Sequence, residues 1–252
     1  MLAVQLAALQ SELERLEGRA VLAWSAGKDS TALLAVAAEV WRSGVVVLGS
    51  HGEDGYPGTP QLLEQWRDRA PHLTFEVLSW SGHLRDLRDG GGRRVARLVA
   101  ARERHDRHLM RDLLARHGVD KQILAIRSAE SVTRQRRGKM YARHRNQYVA
   151  GRDWGRPLIC LPMLHWTEQD VLDTITLYRA PVHPLYRLAG WQERSHPCLF
   201  MPGGGLNQRA PWAQPGPVHF PDWWEERCAV TPGLAAFTDP PQSVLGDMVN
   251  AR

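Results

Sequence analysis

Short apolar runs alternate along this chain with longer helix-forming stretches, and turn residues separate them. The apolar runs 20–24, 45–49, 73–80, 122–126 and 157–161 have the length and composition of buried strands. The stretches 31–41, 61–69 and 93–117 are expected to be helices, and a leader with Leu2, Leu6, Leu9, Leu13 and Leu16 at three- and four-residue spacing reads as an amphipathic helix. Strands that alternate with helices can pair only through crossovers. The expected fold is therefore α/β, a doubly wound parallel sheet with helices on both faces. A loop-rich C-terminal extension should follow it, because Gly, Pro and Trp replace periodic sequence after Met201. The expected units are 1–19 (N-terminal helix), 20–199 (α/β domain) and 200–252 (extension).

In such a sheet, ligands settle beyond the carboxyl ends of the strands. The loop with the most telling chemistry there is Ser25-Ala26-Gly27-Lys28-Asp29-Ser30, set between a strand and a helix. A helix start offers backbone N–H groups and a positive dipole end to an anion. Lys28 can add charge, Ser25 and Ser30 hydroxyl donors, and Gly27 a close backbone approach. An ordinary turn with Ser30 as N-cap is the alternative, and Asp29 could hold Mg²⁺ or simply cap the helix. A Walker A loop is excluded, since Leu22 stands where its first glycine belongs.

The hexapeptide resembles the SGGKDS loop of the PP-loop adenine-nucleotide α-hydrolase superfamily, with Ala26 in place of one glycine. Three further segments extend the resemblance to the phosphoadenosine-phosphosulfate (PAPS) reductase family. His51-Gly52-Glu53-Asp54-Gly55-Tyr56-Pro57-Gly58-Thr59-Pro60 is similar to its DTGxxFPET loop, and Ile126-Arg127-Ser128-Ala129-Glu130-Ser131-Val132-Thr133-Arg134 to its GxRxxESxxR segment. Pro162 to Val171 and Pro181 to Tyr186 resemble its P-x-x-x-W-T-x-x-D-V and P-x-x-P-L-Y. The four matches stand in family order from about Ala20 to Tyr186.

The resemblance implies an adenine nucleotide, ATP or PAPS/APS, with its phosphates on residues 25–30. Arg127 and Arg134 flank Glu130, so two guanidiniums could clamp one anion while the carboxylate orients one of them; a solvated charged helix face is the alternative. Asp54, with Asp29, is a candidate Mg²⁺ ligand, or it could bind a ribose hydroxyl. Thr167 before Glu168, Gln169 and Asp170 reads as a capping-box helix start.

The family's catalytic E-C-G-x-H motif and paired cluster cysteines are missing from the sequence. The three cysteines, Cys160, Cys198 and Cys228, form no CxxC pair, so no intrachain Fe–S cluster or disulfide framework is expected. Cys160 reads as core. Cys198, two residues after His196, is a candidate thiolate or an inert core residue.

The favoured activity is therefore cleavage of ATP at the α-phosphate, giving an adenylyl intermediate and pyrophosphate and activating an unidentified acceptor for sulfur or nitrogen transfer. Lys28, Arg127, Arg134 and Cys198 are the candidate catalytic residues. Thiol-dependent PAPS/APS reduction and a non-catalytic nucleotide- or nucleic-acid-binding module are the alternatives. The net charge of +5 and pI near 9.4 suit anionic partners, and the Arg-rich, aromatic-containing stretch 134–156 is a candidate nucleic-acid contact. With no long apolar run or signal-peptide order, a cytoplasmic protein without membrane contact is expected, as is a homo-oligomer.

Overall fold

The computed structural model describes residues 2–50, 56–79, 109–130, 147–149, 158–191 and 218–230. Helix α1 (Leu2–Leu16) leads into β1 (Ala20–Trp24), α2 (Lys28–Val40), β2 (Gly44–Ser50), α3 (Thr59–Arg69) and β3 (Leu73–Ser79). Then come α4, helical over 109–116, β4 (Lys121–Ile123), a 3-10 turn (Ser128–Glu130), β5 (Gln147–Val149) and β6 (Leu158–Cys160). Helices α5 (Glu168–Leu177), α6 (Leu185–Ala189) and α7 (Pro221–Val230) complete the set.

The six strands form one sheet in the order β3-β2-β1-β4-β6-β5. Five are parallel, as the alternating pattern requires, and β5 pairs antiparallel with β6 at the edge. This edge strand was not expected. It lies inside the basic 134–156 stretch, whose charges break the apolar signature that marked the other strands.

Alternate side chains of the central strand serve the two faces. Leu22 and Trp24 of β1 join a core with α1, α2, α3 and α5, whereas Val21 packs with Val47 and with Leu113 and Leu114 of α4 on the other side. Helices thus cover both faces. Helix α2 is apolar all round because it is enclosed: Leu33, Leu34 and Val36 are all fully buried. Each such side chain contributes about 1.5–3 kcal/mol relative to exposure.

Chain direction across the sheet reverses at β1: β2 and β3 lie to one side, β4 and β6 to the other. The loops that leave the carboxyl ends of β1 and β4 therefore flank a topological switch point, where side chains of distant sequence can meet. Local expectations needed two adjustments. Helix α2 starts at Lys28 with Gly27 as N-cap, so Ser30 lies within the helix and does not cap it. The strand expected over 122–126 ends at Ile123, and the segment after it turns through Ser128–Glu130, where the Ser128 N–H donates to the Leu164 carbonyl at 2.8 Å. Within the C-terminal extension, α7 packs Trp224 against Tyr56 and Leu185. Among the described residues, no helix is long and apolar enough to cross a membrane.

Candidate functional site

The loop from β1 to α2 is tied by its own side chains. Ser30 Oγ donates to the Gly27 carbonyl at 3.0 Å and accepts the Ser25 N–H at 3.1 Å. The proton of Ser30 being used on Gly27, the 3.1 Å contact between the two hydroxyls has Ser25 as donor. Ala26, fully buried, has a φ of +53°, a left-handed conformation that costs an L-residue about 1–2 kcal/mol. The resembled motif has glycine here, and the strain explains its use. Gly27 has an ordinary φ of −74°, and a Cβ there would lie 3.1 Å from Ser25 Oγ, so a larger residue would press on that hydroxyl.

Lys28 is 6% exposed and its ammonium stands 3.5 Å from Glu168 Oε1. Its backbone N–H, at the start of α2, donates to the Tyr186 hydroxyl at 2.9 Å. Asp29 follows in the first helical turn, and Arg127 Nε donates to its Oδ1 at 2.7 Å. Arg127 is itself 5% exposed and comes from the segment after β4, across the switch point. A buried guanidinium needs such a carboxylate partner, because an unpaired buried charge is costly. On the described atoms the carboxylate at Arg127 Nε is that of Asp29, which arrives from the β1–α2 loop.

The remaining connections run through His183, which is fully buried. Its Nδ1 accepts the Leu185 N–H at 3.1 Å, so Nε2 carries the proton and donates to Thr59 Oγ1, also at 3.1 Å. Thr59 in turn donates to the Tyr56 carbonyl at 2.8 Å. Burial pushes the His183 pKa down to about 4, opposed by the hydrogen bond to the Tyr56 backbone. This chain of bonds fastens the loop after β2 to the turn that carries Tyr186. Gly58 sits in the same junction with φ +99°, and a Cβ on it would meet Pro184 Cγ at 2.8 Å.

Ser25, Ala26, Gly27, Lys28, Asp29, Ser30 and Arg127 are thus gathered at the carboxyl edge of β1 and β4. Asp54, Arg134 and Cys198 lie outside the described residues, as does the side chain of Glu130. Cys160 is core, with burial raising its thiol to about 11. Partial burial also raises the pKa of Cys228, which packs near Tyr56 and Trp224, so its thiol is held back from ionising. Glu168, Tyr186, His183 and Thr59 were not singled out as site residues from sequence. Glu168, His183 and Tyr186 occur in or beside the W-T and P-L-Y segments and Thr59 in the 51–60 segment, and only the tertiary packing reveals their contacts.

Residues 19–192 match the family described as phosphoadenosine phosphosulfate reductase domain. The chain belongs to that family. No curated protein matches the sequence. Among solved structures, the U34-tRNA thiolase NcsA from Methanococcus maripaludis with its [4Fe-4S] cluster is similar at TM-score 0.51 and 9% identity, covering 94% of this chain and 79% of the other. The PAPS reductase from Candida auris in its phosphate complex is similar at TM-score 0.45 and 13% identity, over 68% of this chain and 78% of the other. The FMN adenylyltransferase from Candida glabrata, with FMN and an ATP analog, is similar at TM-score 0.49 and 15% identity; 74% of this chain is covered, but only 60% of that protein. The first likeness establishes a shared fold.

Proposed function

We propose that this member of the PAPS reductase domain family binds the phosphates of an adenine nucleotide at residues 25–30 and cleaves ATP on the α-phosphate side. An acceptor oxygen, nitrogen or sulfur attacks the α-phosphorus, the bond to the bridging oxygen breaks, and pyrophosphate leaves with its electron pair. The adenylylated acceptor is then ready for sulfur or nitrogen transfer. The observation that carries this reading is the convergence of buried Lys28 and Arg127 on a strand-to-helix loop, the second fixed 2.7 Å from Asp29. Preorganised cations at such a loop stabilise charge that builds on a leaving pyrophosphate, without reorganisation during the step.

Mg²⁺ bound to the nucleotide would supply further neutralisation of phosphate charge. Asp29 already commits one oxygen to Arg127, and among the described residues no three His, Cys, Asp or Glu side chains converge into a metal cage. The described residues do not make a metal site by themselves, and no step is assigned to one.

Thiol-dependent reduction of PAPS or APS is the second reading, favoured by the name of the matched family. The raised pKa values of Cys160 and Cys228 speak against either as its nucleophile. Incubating the protein separately with ATP, PAPS and APS, in the presence of Mg²⁺, and identifying products by mass tests both readings. AMP or an adenylyl adduct with pyrophosphate supports the first. Sulfite, abolished by cysteine substitution, supports the second, and nucleotide binding without any product reduces the protein to a binding module.

A further inference from the structure

Lys28 holds two donors that a phosphate would use, its backbone N–H and its ammonium, and both have protein partners on other elements. The N–H donates to the Tyr186 hydroxyl at 2.9 Å, and the ammonium stands 3.5 Å from Glu168 Oε1 at the first turn of α5. We infer that Tyr186 and Glu168 are internal competitors for the phosphate loop, setting how strong an anion must be to occupy it; this rests on the phosphate-binding reading above.

A backbone N–H has one proton, so a phosphate oxygen that takes it along a linear path displaces the tyrosine hydroxyl. That hydroxyl is firmly seated. Tyr186 is buried, its ring stacks on Trp191 with centroids 5.5 Å apart and planes at 18°, and the adjoining Leu185 N–H is fixed by His183. Glu168 is more mobile in character, because it is partly exposed and its charge also suits the N-terminus of α5. An incoming anion therefore gains two charge-assisted contacts at Lys28 only by giving up two that exist, one with a carboxylate and one with a phenol. Removing either competitor leaves a donor with less to lose and should tighten anion binding. Loss of a merely structural contact would not do so.

The test is calorimetric titration of the full chain with inorganic pyrophosphate, using the wild type, Tyr186→Phe, Glu168→Gln and Lys28→Met. Tyr186→Phe keeps the stacked ring and deletes only the acceptor, and should tighten pyrophosphate about threefold to tenfold, the net worth of one hydrogen bond. Glu168→Gln should tighten it by a similar factor. Glu39→Gln removes the same charge from the far end of α2, about 16 Å along the helix from Lys28, and should leave the affinity unchanged. If wild type binds, Lys28→Met does not, and either competitor variant fails to tighten binding, the competition is overturned while the phosphate-binding reading stands. If neither wild type nor any variant binds pyrophosphate, both fall. Should Tyr186→Phe not fold, Glu168→Gln applies the same criterion alone.

Discussion

His183 makes folding stability depend on pH in a way that a single substitution can isolate. Its imidazole is fully buried, both nitrogens are engaged, and its pKa falls from the ordinary 6.5 to about 4. In the unfolded chain the same group takes up a proton near the ordinary value. Between these limits the unfolded state binds more protons, so stability is full above about pH 7 and declines as pH falls. A displacement of about 2.5 units at about 1.4 kcal/mol each gives about 3 kcal/mol lost by about pH 4. The partners Thr59 and Leu185 do not titrate in this range, which leaves the imidazole as the responsive group at this junction. The assay is urea unfolding at intervals from about pH 7.5 to 4.5, on the wild type and His183→Asn. At neutral pH the variant should be less stable by about 1–3 kcal/mol, the cost of unsatisfied buried partners. The gap should then close by most of 3 kcal/mol on acidification, because only the wild type has a buried imidazole to protonate. Parallel pH profiles would refute the reasoning.

Four further outcomes are expected from stability measurements. Gly58→Ala combines a φ of +99° with a Cβ 2.8 Å from Pro184 Cγ, and should destabilise by about 2–4 kcal/mol in urea unfolding. Gly44→Ala would drive a methyl to 2.4 Å from the Trp41 ring, whose Nε1 donates to the Leu13 carbonyl; a loss of about 1–3 kcal/mol and a changed tryptophan emission are expected. Asp29→Ala removes the carboxylate bound at buried Arg127 Nε and should cost about 1.5–3 kcal/mol, the net worth of a hydrogen bond to a charged group, with an Asp29→Ala/Arg127→Met double variant reporting how far the two are coupled. Thr167→Ala removes the capping box that Thr167 and Asp170 form at the start of α5, for about 1 kcal/mol measured by thermal unfolding.

The β1–α2–β2–α3–β3 half of the fold was legible because each strand is a short, largely apolar run and each helix a longer stretch, a contrast that survives without tertiary context. Residues 147–149 escaped notice because an edge strand beside arginines carries no such contrast. The loop between β1 and α2 was legible for the same reason as its strand and helix, yet its internal geometry was not. Sequence suggested Ser30 as a helix cap, whereas Ser30 bonds back to Gly27 one turn inside the helix. It also offered Glu130 as a carboxylate that could orient Arg127 or Arg134, because local spacing can propose only near neighbours. The carboxylate that binds Arg127 Nε belongs to Asp29, 98 residues away, and only the strand order brings them together. Tyr186 and Glu168 were hidden in the same way: Glu168 reads locally as part of a helix start and Tyr186 as the end of the P-L-Y segment, and their relation to Lys28 exists only in three dimensions.

The order in which the chain is made now acquires a meaning. During synthesis Lys28 and Asp29 emerge early, while Arg127, Glu168 and Tyr186 follow much later, so the first half of the protein carries the β1–α2 turn without these eventual neighbours. Until β4 joins the sheet, Asp29 lacks the guanidinium that pairs with it in the finished fold, and the turn stays hydrated. On the nucleotide-binding proposal, a ligand that stays bound reports that both halves of the sheet have closed.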